Sequence, residues 1–279
     1  MTFSRGVRAT LTALLAVGLV FMYIPLLIVL VNSFNESRTF NWPPTGFTLE
    51  WWSSALQSAD MLAAFRTSII VAAVASGVSI VLGTMLAFAI GRYQWFGRES
   101  VSFLVVLPIA LPGIVTGVSL SAAVSTLRQP VADVFGVDLN LGMFTTIVGH
   151  VTFTIVIIYN NALARLRRMA GSVEEASMDL GADTFQTFRF VTFPAIRGAL
   201  VAGALLAFGL SFDEIIVTRF VAGPGVETLP LWIFNNLFRP YEGPVVNAVA
   251  ALMIVLAVIP IWASQRLSAD ESSRGGGLI

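Results

Sequence analysis

Residues 9–35 read ATLTALLAVGLVFMYIPLLIVLVNSFN, 27 residues without a charge. A helix needs ~20 predominantly apolar residues to cross a ~30 Å hydrocarbon core, so this stretch is long enough to span a bilayer. The same arithmetic repeats outward from it. Uncharged runs occupy 67–91 (25 residues), 100–127 (28) and 243–265 (23), and 139–164 (26) is interrupted only by His150. A sixth run starts after Arg197, stays apolar for 15 residues, meets Asp213 and Glu214, and resumes at Ile215, Ile216 and Val217. Taken as one helix to about Arg219 it spans 22 residues, about 33 Å at 1.5 Å per residue. The expected fold is all-α: a polytopic membrane protein with six spans, about 9–32, 64–91, 100–124, 142–163, 194–220 and 243–265, forming one transmembrane domain over 1–279.

Composition agrees and removes whole classes of function. The 279 residues are 56% hydrophobic and only 11% charged, with mean hydropathy +0.84. Soluble domains carry about 25% charged residues, so this chain lacks the charge to coat a water-soluble globule. Sixteen basic residues balance sixteen acidic ones, which leaves no global field to draw in a nucleic acid. Every basic residue is arginine, and there is no cysteine. Without lysine there is no P-loop and no Schiff-base chemistry, so the chain has no ATPase site of its own. Without cysteine there are no disulfides, thiolate metal ligands or cysteine nucleophiles. A lone His150 with no second histidine does not make a metal site, and none is expected.

Arginine also predicts the orientation. Arg5 and Arg8 precede the first apolar run, which is much longer than the ~7–15-residue core of a signal peptide, and no small-residue cleavage site closes it; it reads as an uncleaved anchor. Six spans put both termini on one side. With that side inside, eleven arginines (5, 8, 92, 98, 165, 167, 168, 189, 197, 266, 274) face five (38, 66, 128, 219, 239), which satisfies the positive-inside rule and makes both termini cytoplasmic. The outer segments 33–60, 128–138 and 222–242 are polar or turn-rich, with Trp42, Trp51 and Trp52 suited to an interface and Pro224, Gly225, Pro230 and Pro240 marking turns. The glycine-rich tail 268–279 reads as disordered. Small residues recur every four positions at Gly83, Ala87 and Gly91, and again at Ala199, Gly203, Ala207 and Ser211, which suits close helix packing in lipid.

The segment 164–193 is the longest inner connection and the most polar part of the chain. From Glu174 to Leu180 it carries good helix formers with acids in the first turn, where the helix dipole favours them. Gly181 is a natural C-terminal stop. A second short stretch, Thr184 to Phe190, leads to Pro194 at the start of the next span, where proline is tolerated. Two short helices joined at a glycine are more than a plain connection requires.

Glu175, Ala176, Ser177, then Gly181, Val191, Phe193 and Pro194 stand at the spacing Glu-Ala-Ala, three residues, Gly, nine residues, Ile, any residue, Leu-Pro. That pattern resembles the signature of the integral-membrane permease subunits of binding-protein-dependent ABC importers, with changes at Ser177, Val191 and Phe193. The run Leu107 to Gly113 is similar to the third-span motif of these permeases, and Gly149–His150 to a pair in their fourth span. Leu210 to Val217, followed by Ala222-Gly223-Pro224 and Leu229-Pro230-Leu231, resembles the spermidine/putrescine-type subgroup. The resemblance implies a role for Glu175, Ala176, Ser177, Gly181 and Pro194 in a coupling loop that docks on the ATPase. It further implies a companion permease, two ATPase subunits and an external solute-binding protein, with no cofactor on this chain and ATP and Mg on the ATPases. The location implied is the bacterial inner membrane.

The remaining residues with chemistry are few. An acid within a span costs ~2.5–3.5 kcal/mol to insert and normally faces the bundle interior or water. Asp213 and Glu214 are therefore candidates for the path of a cationic solute, or members of a structural ion pair; Arg219 stands at neither an i+3 nor an i+4 spacing from either. On a continuous helix the two acids point about 100° apart, so only one can face a pore squarely. Its depth, sixteen residues beyond Arg197, and its lack of a partner at helical spacing favour Asp213, with Glu214 pairing with a companion subunit or turning outward. His150 reads as a packed histidine bonded to a neighbouring helix. Ser79 and Ser119 lie in glycine-containing spans, but no Gly-x-Ser-x-Gly elbow supports an intramembrane hydrolase. Arg165, Arg167 and Arg168 read as a positive-inside anchor rather than a lipid site. The function expected is half of a translocation path for a small cation, a polyamine such as putrescine or spermidine. The alternatives are an importer permease for another small solute (an amino-acid derivative, an anion or iron) and a membrane assembly protein that transports nothing.

Overall fold

The computed structural model describes residues 4–38, 42–239 and 242–275, with side chains to Arg266. Pro240 and the last four residues of the glycine-rich tail lie outside the described residues. In chain order the helices are α1 (Arg5–Asn32), α2 (Glu50–Gln57), α3 (Ala59–Arg92), α4 (Arg98–Ala110), α5 (Gly113–Phe135), α6 (Met143–Arg168), α7 (Gly171–Asp179), α8 (Thr184–Thr187), α9 (Phe193–Phe212), α10 (Ile216–Val221), α11 (Leu229–Asn236) and α12 (Gly243–Gly275), with one π-helical turn at Phe188–Thr192. Pairing of extended backbone among the described residues is limited to one bridge, Asn35 with Phe47. The fold is all-α, as expected.

Among the described residues, five helical stretches are long and apolar enough to cross a membrane: Arg5–Asn32, Ala59–Arg92, Met143–Arg168, Thr184–Phe212 and Gly243–Arg266. The third expected span is present but broken, with α4 and α5 bent by 109°. The cause is local. Leu111 is extended (φ −81°, ψ 145°) ahead of Pro112, because a residue before proline is disfavoured in the α region. A second expectation is corrected at the fifth span, which is not one helix to Arg219. α9 stops at Phe212, Asp213 to Ile215 leave the helix, and α10 restarts at Ile216. At the C-terminus, α12 continues to Gly275, through part of the segment whose composition reads as disordered.

The chain divides into two compact units. The first comprises 1–62 and 232–255. Here the apolar side chains of α1 lie open along its length, from Val7 to Leu30, as suits a helix whose surroundings are hydrocarbon rather than water. Its polar connection is tied down by aromatics: Trp51 Nε1 donates to the Asn35 carbonyl at 2.8 Å, Phe34 stacks on Trp52 at 5.3 Å, and the Arg38 guanidinium lies over the Trp51 ring.

The second unit, 63–231 with 256–279, holds both regions singled out by the sequence. Its core is the packing of α6 on α9 and α3, through Ile158, Tyr159, Ala162, Leu163, Leu166, Ile196 and Leu200. The small residues read as packing positions do this work. A β-carbon on Gly83 would meet Ile158 at 2.9 Å, and one on Gly203 would meet Ile158 at 3.3 Å and Asn161 at 3.4 Å. Such close approach is how helices gain contact where lipid supplies no hydrophobic drive. Ser264 of α12 adds a hydrogen bond to the Ala202 carbonyl at 3.0 Å.

Candidate functional site

The loop between α6 and α9 is built from strong local signals. α7 carries Glu174 in its first turn and ends in two reverse bonds, Gly181 N–H to Met178 O at 2.9 Å and Ala182 N–H to Ser177 O at 3.2 Å. That pairing is a Schellman motif, and it requires the left-handed φ of +92° that Gly181 adopts. Asp183 then caps α8 in a reciprocal box: its carboxylate accepts from Gln186 N at 2.8 Å, and the Gln186 side chain accepts from Asp183 N at 3.0 Å. The two short helices are held together by Ser177 Oγ and Thr187 Oγ1 at 3.2 Å. Where a continued helix to Phe190 was expected, α8 passes into the π-helical turn and so into α9, with Pro194 in the first turn of that helix.

Glu175 and Ala176 are exposed and Ser177 is half-buried. Around them Val173, Met178, Leu180, Phe185 and Phe190 also stand exposed, Leu180 at 91%. Exposed apolar side chains on an otherwise polar loop make it a candidate interaction face. Glu174, which the sequence pattern passes over, turns the other way. It is half-buried, paired with Arg92 Nε at 2.8 Å, and accepts from Thr192 Oγ1 at 2.7 Å.

The second region is the break in the fifth span. Glu214 Oε1 accepts from Val217 N at 2.6 Å, so its side chain, one residue ahead of the N-cap Ile215, caps the first turn of the six-residue α10. This explains the break: a carboxylate serving freed N–H groups is better placed at a helix start than within a continuous apolar helix. Asp213 is exposed, and its carboxylate makes no hydrogen bond or ion pair among the described residues. Because α9 ends at Phe212 and α10 starts at Ile216, the two acids do not stand 100° apart on one continuous helix. The helix break separates them instead, one capping and one open.

His150 spans the break. It is fully buried, with Nδ1 at 2.7 Å from Ser211 Oγ at the end of α9 and Nε2 at 2.8 Å from Thr218 Oγ1 in α10. Thr218 Oγ1 also lies 3.2 Å from the Glu214 carbonyl. Every group is satisfied when Nε2–H donates to Thr218, Thr218 donates to Glu214, and Nδ1 accepts from Ser211. The packed reading of His150 is thus what the structure shows; of its partners, Ser211 reads in the sequence only as a small packing residue, and Thr218 carries no signal there beyond being a hydroxyl. Ser79, weighed above as a nucleophile, is instead bonded to Thr154 Oγ1 at 2.7 Å. α10 itself sits in a slot of glycines. A β-carbon on Gly113 would meet Ile216 at 3.3 Å, one on Gly117 would meet Phe220 at 2.9 Å, and one on Gly149 would meet Val217 at 3.0 Å. Thr145 Oγ1 closes the far end by donating to the Val221 carbonyl at 2.8 Å.

His150→Ala is expected to loosen this break. It removes two buried hydrogen bonds and opens a void. Membrane hydrogen bonds average ~0.6 kcal/mol each, so with the void the expected cost is about 1–3 kcal/mol. The check is the melting midpoint of the purified protein in detergent, which should fall, while His150→Gln recovers part of the loss.

Residues 79–270 match the family model described as the binding-protein-dependent transport system inner membrane component. The chain belongs to that family. It is 35% identical over 243 residues to the putrescine transport system permease protein PotI of Escherichia coli K12, covering 86% of this chain and 84% of that protein. It is 32% identical over 258 residues to the spermidine/putrescine transport system permease protein PotC of Shigella flexneri, covering 92% and 93%. In fold, it resembles a chain of a bacterial ABC transporter that imports alginate, at TM-score 0.69 and 17% identity over 95% of this chain. A chain of the MetNI methionine ABC transporter gives TM-score 0.53 at 18% identity over 76%. This permease is thus a multi-pass membrane protein and a transporter component. The family match covers both the loop and the broken span.

Proposed function

We propose that this chain is one of two permease subunits of an ATP-driven importer for a small polyamine such as putrescine or spermidine. The observation that carries the reading is its 35% and 32% identity, over most of its length, to permeases whose names specify those solutes. The whole chain acts as one transmembrane domain in a bacterial inner membrane with both termini cytoplasmic, as the arginine count favours. Its partners are a different permease subunit, two ATPase subunits that carry ATP and Mg, and an external solute-binding protein. The exposed face of α7 and α8, with Glu175, Ala176, Ser177 and Gly181, docks on an ATPase, and Pro194 starts the span that carries the motion onward. Closure of the ATPases on ATP draws the loop and rocks the spans between inward- and outward-facing states.

Asp213 and Glu214 divide the work at the other end of α9. Glu214 maintains the break by capping α10. Asp213, open and unpaired among the described residues, offers its carboxylate to the cation on its way through.

The test is reconstitution of the full complex in proteoliposomes with the cognate binding protein. Radiolabelled putrescine or spermidine is expected to accumulate only with internal ATP and loaded binding protein. Uptake of an anion or an amino-acid derivative in place of polyamine would overturn the substrate class. Failure of the ATPase subunits to co-purify would overturn the importer reading.

A further inference from the structure

The two neighbouring acids at the start of α7 have opposite destinations. Glu175 faces outward, and Glu174 faces the spans. The Glu174 carboxylate is nearly withdrawn from solvent, 12% exposed, and so is its partner Arg92 at 19%. One carboxylate oxygen lies 2.8 Å from Arg92 Nε, a charge contact in which the N–H is not aligned for a hydrogen bond, and the other accepts from Thr192 Oγ1 at 2.7 Å. Arg92 also reaches the Met169 carbonyl, just past α6, at 3.4 Å. This one pair therefore joins four segments: the last turn of α3, the end of α6, the first turn of α7 and the π-helical turn that feeds α9. Phe88 of α3 meets Phe188 of that turn edge to face at 5.3 Å, and Phe188 meets Phe193 at 6.0 Å. Both charges also sit where helix dipoles favour them, the arginine in the last turn of α3 and the glutamate in the first turn of α7. A charge pair shielded from water is weakly screened, and losing one partner leaves the other stranded.

We infer that Arg92 and Glu174 are positioning residues that lock the coupling helix to the inner end of α3, so that displacement of α7 by an ATPase moves α3 and α9 together. The inference rests on the importer reading and deepens it. A loop tied only to α9 would pass its motion to one span, whereas this pair divides it between two. Thr192 keeps the second connection, since its buried hydroxyl is bonded to the same carboxylate.

The chain has no cysteine, so with partner subunits stripped of their own cysteines an introduced pair carries the only spin labels. In the assembled complex, labels at Ser172→Cys, at the start of α7 and outside the apolar docking face, and at Gln94→Cys just beyond α3 report their mutual distance by double electron–electron resonance, without nucleotide and after vanadate trapping. With Arg92 and Glu174 intact, one narrow distance is expected in both states. In Glu174→Gln the trapped-state distance should broaden or shift, and uptake per ATP hydrolysed should fall about tenfold, with ATPase content and hydrolysis within about twofold of the parent. The exchange Arg92→Glu with Glu174→Arg should recover at least part of the coupling lost in either single variant, and Glu174→Asp should be milder than Glu174→Gln. An unchanged distance and unchanged uptake per ATP in Glu174→Gln would overturn the inference. So would loss of the ATPase from that variant, because the pair would then serve docking rather than transmission. Failure of the importer reading shows separately, in the parent complex, as absence of bound ATPase or of ATP-driven uptake.

Discussion

Gly181→Leu is expected to cut ATP-driven uptake about tenfold or more while expression and membrane insertion stay at the parent level. Gly181 has φ of +92° and donates one of the two bonds that end α7. A side chain in that left-handed region costs roughly 1–2 kcal/mol, which corresponds to about a 5–30-fold shift in an equilibrium. Space inside the chain is not the obstacle, because no atom lies within 4 Å of where its β-carbon would be. The strain is relieved by re-aiming the last turn of α7, which disturbs the Ser177–Thr187 contact and the exposed apolar face beside it. The spans gain and lose nothing, so the protein still inserts. Gly181→Asn separates two causes, since asparagine tolerates the same backbone conformation. Retained uptake with asparagine and loss with leucine points to the backbone. Equal loss with both means the partner surface approaches too closely for any side chain. Normal uptake by Gly181→Leu proteoliposomes would remove the glycine from the coupling role.

The spans were legible because an uncharged run of more than twenty residues has few stable solutions other than a helix in lipid. Breaks within those spans were harder to read, and for different reasons. The bend at Leu111–Pro112 follows from a local rule about the residue before proline, and its signal stood in the sequence. The break after Phe212 has no such marker. Apolar residues continue on both sides of Asp213 and Glu214, and the helix ends because Glu214 caps Val217 and because His150, from another helix, bonds to both sides of the gap. Only the second of these is tertiary, but it is the one that makes the broken form durable. The same distinction holds in the coupling loop. The helix formers Glu174 to Leu180 and the Gly181 stop are local, and the pair of short helices could be read from them; the Asp183–Gln186 box is local too but went unread. Arg92 and Glu174 come from helices far apart in the chain, and nothing in the spacing of either pointed to the other. Of two adjacent glutamates, the family pattern marked the exposed one and passed over the one that holds the loop in place.

Asp213→Asn is expected to lower polyamine uptake about tenfold, whereas Glu214→Gln should change it by about twofold or less. The contrast follows from the broken span. Glutamine at 214 still presents a side-chain oxygen to Val217 N, so the cap and with it α10 survive. Asparagine at 213 removes the one carboxylate here that is exposed and unengaged among the described residues. An ammonium at ~4 Å from a carboxylate gains ~1 kcal/mol in bulk water and ~4 kcal/mol at an effective dielectric near a protein surface. A tenfold effect, ~1.4 kcal/mol, falls between those limits, as suits a path that is partly wet. Glu214→Ala provides the control for structure: it loses the cap, at a cost of about 0.5–2 kcal/mol, and should lower the melting midpoint, which Asp213→Asn should not. The measurement is initial uptake against substrate-loaded binding protein, in complexes matched for subunit content. Dissociation of the complex in Asp213→Asn would make the acid a member of an ion pair with the companion subunit. Unchanged uptake would take Asp213 off the path altogether, and equal losses in Asp213→Asn and Glu214→Gln would mean that the pair acts as one charge rather than as a cap and a cation site.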